Sequence, residues 1–140
     1  VFGNGHLYIA TYQNGLVRMD TATKRLEKLT GIKDTVISHG LDGLVYHDGA
    51  LYGVYNIGKE RGDDCVVRYQ LRNDGTGVEA ETLVSKGHRA MDDPTTAALY
   101  NNKLYVLANS HLDAYNANQT CVKGIENKLK KPLILVVPLQ

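Results

Sequence analysis

The sequence predicts an all-β fold, about three four-stranded blades of a β-propeller, on three observations. Apolar residues almost nowhere recur with a helical period, and short alternating runs lie instead between turns rich in Gly, Asn and Asp. Three of those runs share one grammar: His6-Leu7-Tyr8-Ile9-Ala10, Ala50-Leu51-Tyr52-Gly53-Val54 and Lys103-Leu104-Tyr105-Val106-Leu107 follow the turns Gly3-Asn4-Gly5, His47-Asp48-Gly49 and Asn101-Asn102. Their Leu-Tyr pairs begin at positions 7, 51 and 104, and the intervals of 44 and 53 residues lie close to the roughly 40 to 50 residues of a blade.

The flanks of each run supply the other strands. Leu41 to Tyr46 and Thr95 to Tyr100 precede the second and third turns and suit inner strands hairpinned to the Leu-Tyr strand. Leu16-Val17-Arg18-Met19-Asp20 and Cys65-Val66-Val67-Arg68-Tyr69 follow the first two runs as third strands with a matching Val-Arg. Fourth strands are expected at Leu26 to Leu29 and Val78 to Leu83, and Pro132 to Leu139 reads as a final outer strand. Residues 1–140 thus form one partial propeller, with blades approximately at 1–34, 35–86 and 87–140. The first unit has no recognisable inner strand, so the chain is expected to start inside a blade. Three blades cannot close a ring, whose sheet edges must be paired or protected. The remaining blades then come from an absent segment, making this the C-terminal half of a six-bladed ring, or from another copy; a small open β-sheet domain is the alternative. The stretch from Asn116 to Lys131 does not fit the repeat.

Composition narrows the function classes. Sixteen Lys and Arg against 15 Asp and Glu give a formal charge of +1, which offers no footprint for nucleic acid or an anionic membrane. No apolar run reaches the about 18 residues of a membrane helix, so a soluble chain is expected. Cys65 and Cys121 form no metal motif and read as small core residues. Asn118-Gln119-Thr120 matches a glycosylation acceptor or a plain polar turn. The compartment is not readable; a periplasmic or secreted location is compatible. Serine-hydrolase elbows, Walker loops and dinucleotide fingerprints do not occur.

In a propeller, the connections from fourth to next first strand and from second to third strand meet on one face. On that face the sequence places Ser38-His39-Gly40-Leu41-Asp42-Gly43, the run from Lys86 to Pro94, Tyr12-Gln13-Asn14, Tyr55-Asn56 and Asn109-Ser110-His111, with Asp113 just beyond. Alignment of Leu51 with Leu104 sets Asn56 on Asn109 and His39 on Asp92. Two Asn with Asp92, Asp93 or Asp42 nearby offer oxygens that suit a hard divalent cation such as calcium. The competing reading of the Asn pair is hydrogen bonding to backbone that ends the second strand. His39, His88 and His111 could ligate a transition metal or act as a base, although their spacing matches no zinc motif, and His6 and His47 lie in turns on the opposite face. The charged loop Gly58 to Asp64 reads as a lid, a clamp or a solvated loop.

At His39-Gly40-Leu41-Asp42-Gly43-Leu44 followed by Asp48-Gly49-Ala50-Leu51-Tyr52, the sequence resembles the senescence-marker-protein and gluconolactonase superfamily of six-bladed propellers. Asp93-Pro94-Thr95-Thr96 through Ser110 looks like the last blade of bacterial members, and Leu133 to Leu139 like their terminal strand. The resemblance implies an axial divalent cation, usually calcium, held by Asn, Asp and Glu, and a carboxylate that assists hydrolysis of a lactone or ester. On this chain it points to Asn56, Asn109 and Asp92 as metal ligands, and to Asp92 or Asp93 as the carboxylate. With His39 as a further catalytic candidate, the expectation is a calcium-dependent hydrolase acting on a small-molecule substrate. The alternative is a non-catalytic propeller that binds a ligand or protein partner on the same face.

Overall fold

The computed structural model describes residues 1–11, 13–33, 39–58, 62–111, 127 and 129–139. Eleven strands are present among them: β1 (Phe2–Gly3), β2 (His6–Thr11), β3 (Gly15–Asp20), β4 (Leu26–Lys28), β5 (Leu41–His47), β6 (Ala50–Tyr55), β7 (Cys65–Leu71), β8 (Val78–Lys86), β9 (Ala97–Tyr100), β10 (Lys103–Leu107) and β11 (Ile134–Pro138). They make three antiparallel sheets, β1 to β4, β5 to β8, and β9 with β10 and β11, and in each the strand order follows the chain.

The turn chemistry explains the registers. Two-residue hairpin turns whose twist suits the strands need both central residues at positive φ, which Asn, Asp and Gly tolerate best. Asn4 and Gly5, Asp48 and Gly49, and Asn101 and Asn102 all adopt it, with φ between 44° and 75°. Each pair joins flanking residues in direct register: Gly3 with His6, His47 with Ala50, and Tyr100 with Lys103. The intervals of the sequence repeat therefore coincide with a repeat of backbone conformation. It extends to Gly40 and Asp93, which stand at matching positions and have φ of 86° and 60°.

One expectation is corrected. The first unit does contain an inner strand: Phe2–Gly3 pairs with β2 as β1, and two residues are too few to produce an alternating pattern. The last strand, β11, pairs directly with β10 and so takes the third place in its sheet. Cys65 is a buried core residue as expected. Cys121, Asn118, Asp113, Ser38 and most of the stretch from Asn116 to Lys131 lie outside the described residues.

Packing follows the two-residue period of a strand. In β6, Leu51 and Tyr55 face one way, with Cys65, Val67 and Tyr69 of β7, and join Tyr8, Leu16 and Leu29 of the first sheet. Ala50, Tyr52 and Val54 face the other way, with Val66, against Leu104 and Val106 of the third sheet and Leu139 beyond it. Every residue of β6 is buried because its sheet lies between the other two. The inner strands come close together: a Cβ on Gly43 of β5 would stand 2.7 Å from the Thr95 carbonyl oxygen ahead of β9. Farther out, Val78 N donates to Thr30 O at 2.7 Å and stitches the first sheet to the β7–β8 hairpin. The stack ends on two apolar faces. One carries Phe2, Leu7, Ile9, Val17, Met19 and Leu26 in cross-strand register, with Phe2 64% exposed. Tyr105, Leu107, Ile134 and Val136 occupy the other, in register across β10 and β11, with Ile134 55% exposed.

The buried Tyr8 hydroxyl donates to Gly75 O at 2.9 Å, and its ring stacks on Tyr46 at 6.4 Å between centroids. Burial first, then the neighbouring Tyr46, pushes the Tyr8 pKa from 10 up to about 12. The fold thus holds Tyr8 neutral where the unfolded chain would ionise it. Its contribution is full below pH 10 and is lost as pH rises from about 10 through 12. The melting temperature is expected to fall between pH 9 and 11.5. In Tyr8→Phe that fall should be shallower yet still present, because burial also raises the pKa of Tyr69; an unchanged slope would contradict this assignment.

Candidate functional site

The β1–β2, β5–β6 and β9–β10 turns occupy one end of the stack, and the connections between sheets occupy the other. At this loop end the chain passes from β4 to β5 and from β8 to β9 beside the ends of β6 and β10. Asn56 N donates to Gly40 O at 2.8 Å, and Asp92 N donates to Ala108 O at 2.8 Å. Asp92 and Asn109 form an isolated parallel bridge, and Ser110 N donates to Asp93 O at 3.2 Å. The structure thus brings Asp92, Asp93 and Asn109 together at the third sheet, and His39, Gly40 and Asn56 at the second.

Their environments differ. Asn109 is 3% exposed and its carboxamide is committed to the chain: Oδ1 accepts from Leu133 N at 2.6 Å and Nδ2 donates to Lys131 O at 3.2 Å. Both ends of this carboxamide fasten the return of the chain into β11. Asn56 has no such commitment among the described residues; the hydrogen bond described there belongs to its backbone. Matched in sequence position, the two Asn are therefore not matched in role. Asp93 is buried in a left-handed conformation, whereas His39 is exposed. Asp42, at a register shift in β5, has an exposed side chain whose carboxyl is still desolvated enough to raise its pKa.

The remaining candidates have local tasks. His111 Nε2 lies 3.1 Å from Asn109 Nδ2 and 3.3 Å from Lys130 N, so it accepts hydrogen bonds in the same fastening. His88 Nδ1 accepts from Ala90 N at 3.2 Å. On the opposite end, His47 Nε2 meets Asn102 Oδ1 at 2.9 Å and His6 Nε2 meets Asp74 O at 3.2 Å, both between neighbouring sheets. In the charged loop, Asp64 Oδ1 accepts from Ile57 N at 3.0 Å and closes the loop at its base. A cleft of about 200 Å³ opens there, lined by Asp63, Asp64, His88, Arg89 and Met91. Among the described residues, no group of three or more His, Cys, Asp or Glu is placed to hold a metal ion. One lone pair of the Asn109 oxygen already accepts a backbone N–H, so an oxygen set for calcium would draw mainly on Asn56 and on Asp92, Asp93 or Asp42.

Asn109→Ala is expected to lower stability by about 1 to 2 kcal/mol, since it leaves the Leu133 N–H and Lys131 carbonyl without their partner. Asn56→Ala should change it by less than about 0.5 kcal/mol. Urea denaturation of both variants checks the asymmetry.

Comparison with known proteins adds a likeness of fold. No family model matches the chain, and no curated protein matches it. Among solved structures that do match is the crystal structure of the computationally designed Ika4 protein, 10% identical with a TM-score of 0.54. The match covers all of this chain and 64% of that one. This chain therefore spans less than two thirds of the length of the designed protein, and at this identity what the two share is an arrangement of strands.

Proposed function

We propose that the three sheets are consecutive blades of a propeller, and that its loop end binds a ligand or protein partner without catalysing a reaction. The blade reading is supported by the positive-φ positions that recur with the sequence repeat, by strand order that follows the chain in every sheet, and by the two apolar faces that end the stack, which suit further blades. The binding reading is carried by one observation, the commitment of the Asn109 carboxamide to Leu133 and Lys131. One lone pair of Asn109 Oδ1 is taken by Leu133 N, and the amide is held in the orientation that the returning strand needs, so it is not free to turn toward a cation.

A second reading, calcium-assisted hydrolysis of a lactone or ester as in the gluconolactonase-like superfamily, is favoured by the Asp92–Asn109 bridge, which sets a carboxylate-bearing residue beside a carboxamide. Calorimetric titration of calcium into the protein separates the two. The binding reading expects no saturable heat and the same melting temperature in calcium and in chelator. Saturable calcium binding that raises the melting temperature and is lost in Asp92→Asn would overturn it in favour of the hydrolase.

A further inference from the structure

The last strands of the three sheets, whose outer edges are unpaired among the described residues, differ in how those edges are protected. A free strand edge invites pairing unless it is short, charged, bulged or carries proline. β4 has three residues, two of them Glu27 and Lys28. β8 carries Glu79, Glu81 and Lys86, and its pairing with β7 shifts register twice. β11 has only a proline, Pro138, at its last position: Ile134, Leu135, Val136 and Val137 hold no charge, and the register with β10 is unbroken.

The ladder shows which atoms that edge presents. Ala108 N donates to Leu133 O and Leu139 N donates to Asn102 O, so the odd-numbered residues of β11 spend their backbone groups on β10. Those of Ile134 and Val136 point to the open edge. Pro138 stands at the next outward position, where proline costs no ladder bond.

Beside this edge lies a groove of about 630 Å³ between β11 and the outer half of the second sheet, lined by Tyr52, Arg68, Thr82, Leu83, Val84 and Val137 among others. Its electrostatics emerge from an internal comparison. Arg18 of β3 and Arg68 of β7 are the arginines of the repeated Val-Arg. Arg18 stands opposite Glu27 on the next strand and is ion-paired with it. Arg68 stands opposite Thr82. It donates to the Tyr52 hydroxyl at 3.2 Å and to Gln70 Oε1, and it forms no ion pair among the described residues. One half-buried positive charge therefore faces a groove of mixed polar and apolar lining, without a counter-charge among the described residues.

We propose that β11 and this groove are a strand-addition site for a partner polypeptide. An extended segment of the partner pairs with the Ile134 and Val136 edge as a fourth strand and turns an acidic side chain, flanked by apolar ones, toward Arg68. Backbone hydrogen bonds supply affinity in this mode of recognition, and the alternate side chains supply selectivity. The site lies on the outer edge of the third sheet and does not rest on the reading of the loop end.

The test uses the full chain and two labelled peptides, acetyl-TVTETVT-amide and its Gln counterpart acetyl-TVTQTVT-amide, followed by fluorescence anisotropy and by amide shifts at Ile134 and Val136. The acidic peptide is expected to bind about ten-fold more tightly. Arg68→Gln should remove that preference while leaving the weaker affinity in place. Val136→Pro, on a strand that already accepts proline at an outward position, should abolish binding of both with little change in melting temperature. Equal binding of the two peptides, a preference that survives Arg68→Gln, or binding that survives Val136→Pro would each overturn the proposal. So would a dimer of the chain that Val136→Pro dissociates, since the edge would then belong to a second copy.

Discussion

Gly40→Ala is expected to destabilise the protein by about 3 kcal/mol or more. Two costs coincide. Gly40 has φ of 86°, which a residue with a Cβ adopts only under strain. An added Cβ would also stand 2.2 Å from Asn56 O, a backbone atom fixed by the end of β6. Relief would have to break the hydrogen bond from Asn56 N to Gly40 O. Gly5→Ala is the matched control: its φ is 75°, but an added Cβ would find nothing within 4 Å. Only the backbone strain remains, about 1 kcal/mol. Urea denaturation of the two variants compares them directly, and losses of equal size would show that the contact with Asn56 does not matter.

Leu51→Ala is expected to cost about 3 to 4 kcal/mol, the range for emptying a site that cannot collapse. Leu51 is fully buried in β6, and its sheet is held on both sides, so neighbouring strands have no free face from which to move in. Leu26 offers the contrast: it is 60% exposed on the end face of the first sheet, and Leu26→Ala should shift stability by less than about 0.5 kcal/mol. Should the Leu51 variant lose no more than Leu26→Ala, the middle position of the second sheet would be wrong.

The positions of strands and turns were legible in the sequence wherever local chemistry decides. Asn-Gly, Asp-Gly and Asn-Asn turns between alternating runs leave few alternatives, and the registers at Gly3, His47 and Tyr100 follow from them. The limits appear where distant contacts decide. Phe2–Gly3 is a strand because β2 is there to pair with it. β8 continues to Lys86, beyond the Leu83 expected, because register shifts keep it on β7.

The candidate site was less legible for a related reason. Position placed Asn56 and Asn109 as equals and left open both cation binding and strand ending. Only the fold reveals that Asn109 meets a returning strand, while Asn56 meets the chain through its backbone. Arg68 could be found as half of a repeated Val-Arg, but the change that matters, Thr82 where the first sheet has Glu27, needs the registers of β8 and β4.

The placement of β6 between two apolar layers has a kinetic consequence. Each of the first two sheets closes from one stretch of chain with neighbouring strands paired, and stability in such stacks is shared between each layer and its neighbours. Amide hydrogens should then exchange in layers. Those of β6, Leu51 and Val54 among them, exchange only when the whole stack opens, while those of β4 and β11 exchange through local opening at its margins. Native-state hydrogen exchange would thus place the slowest protons in the middle of the molecule and rank the layers by how many neighbours each one has.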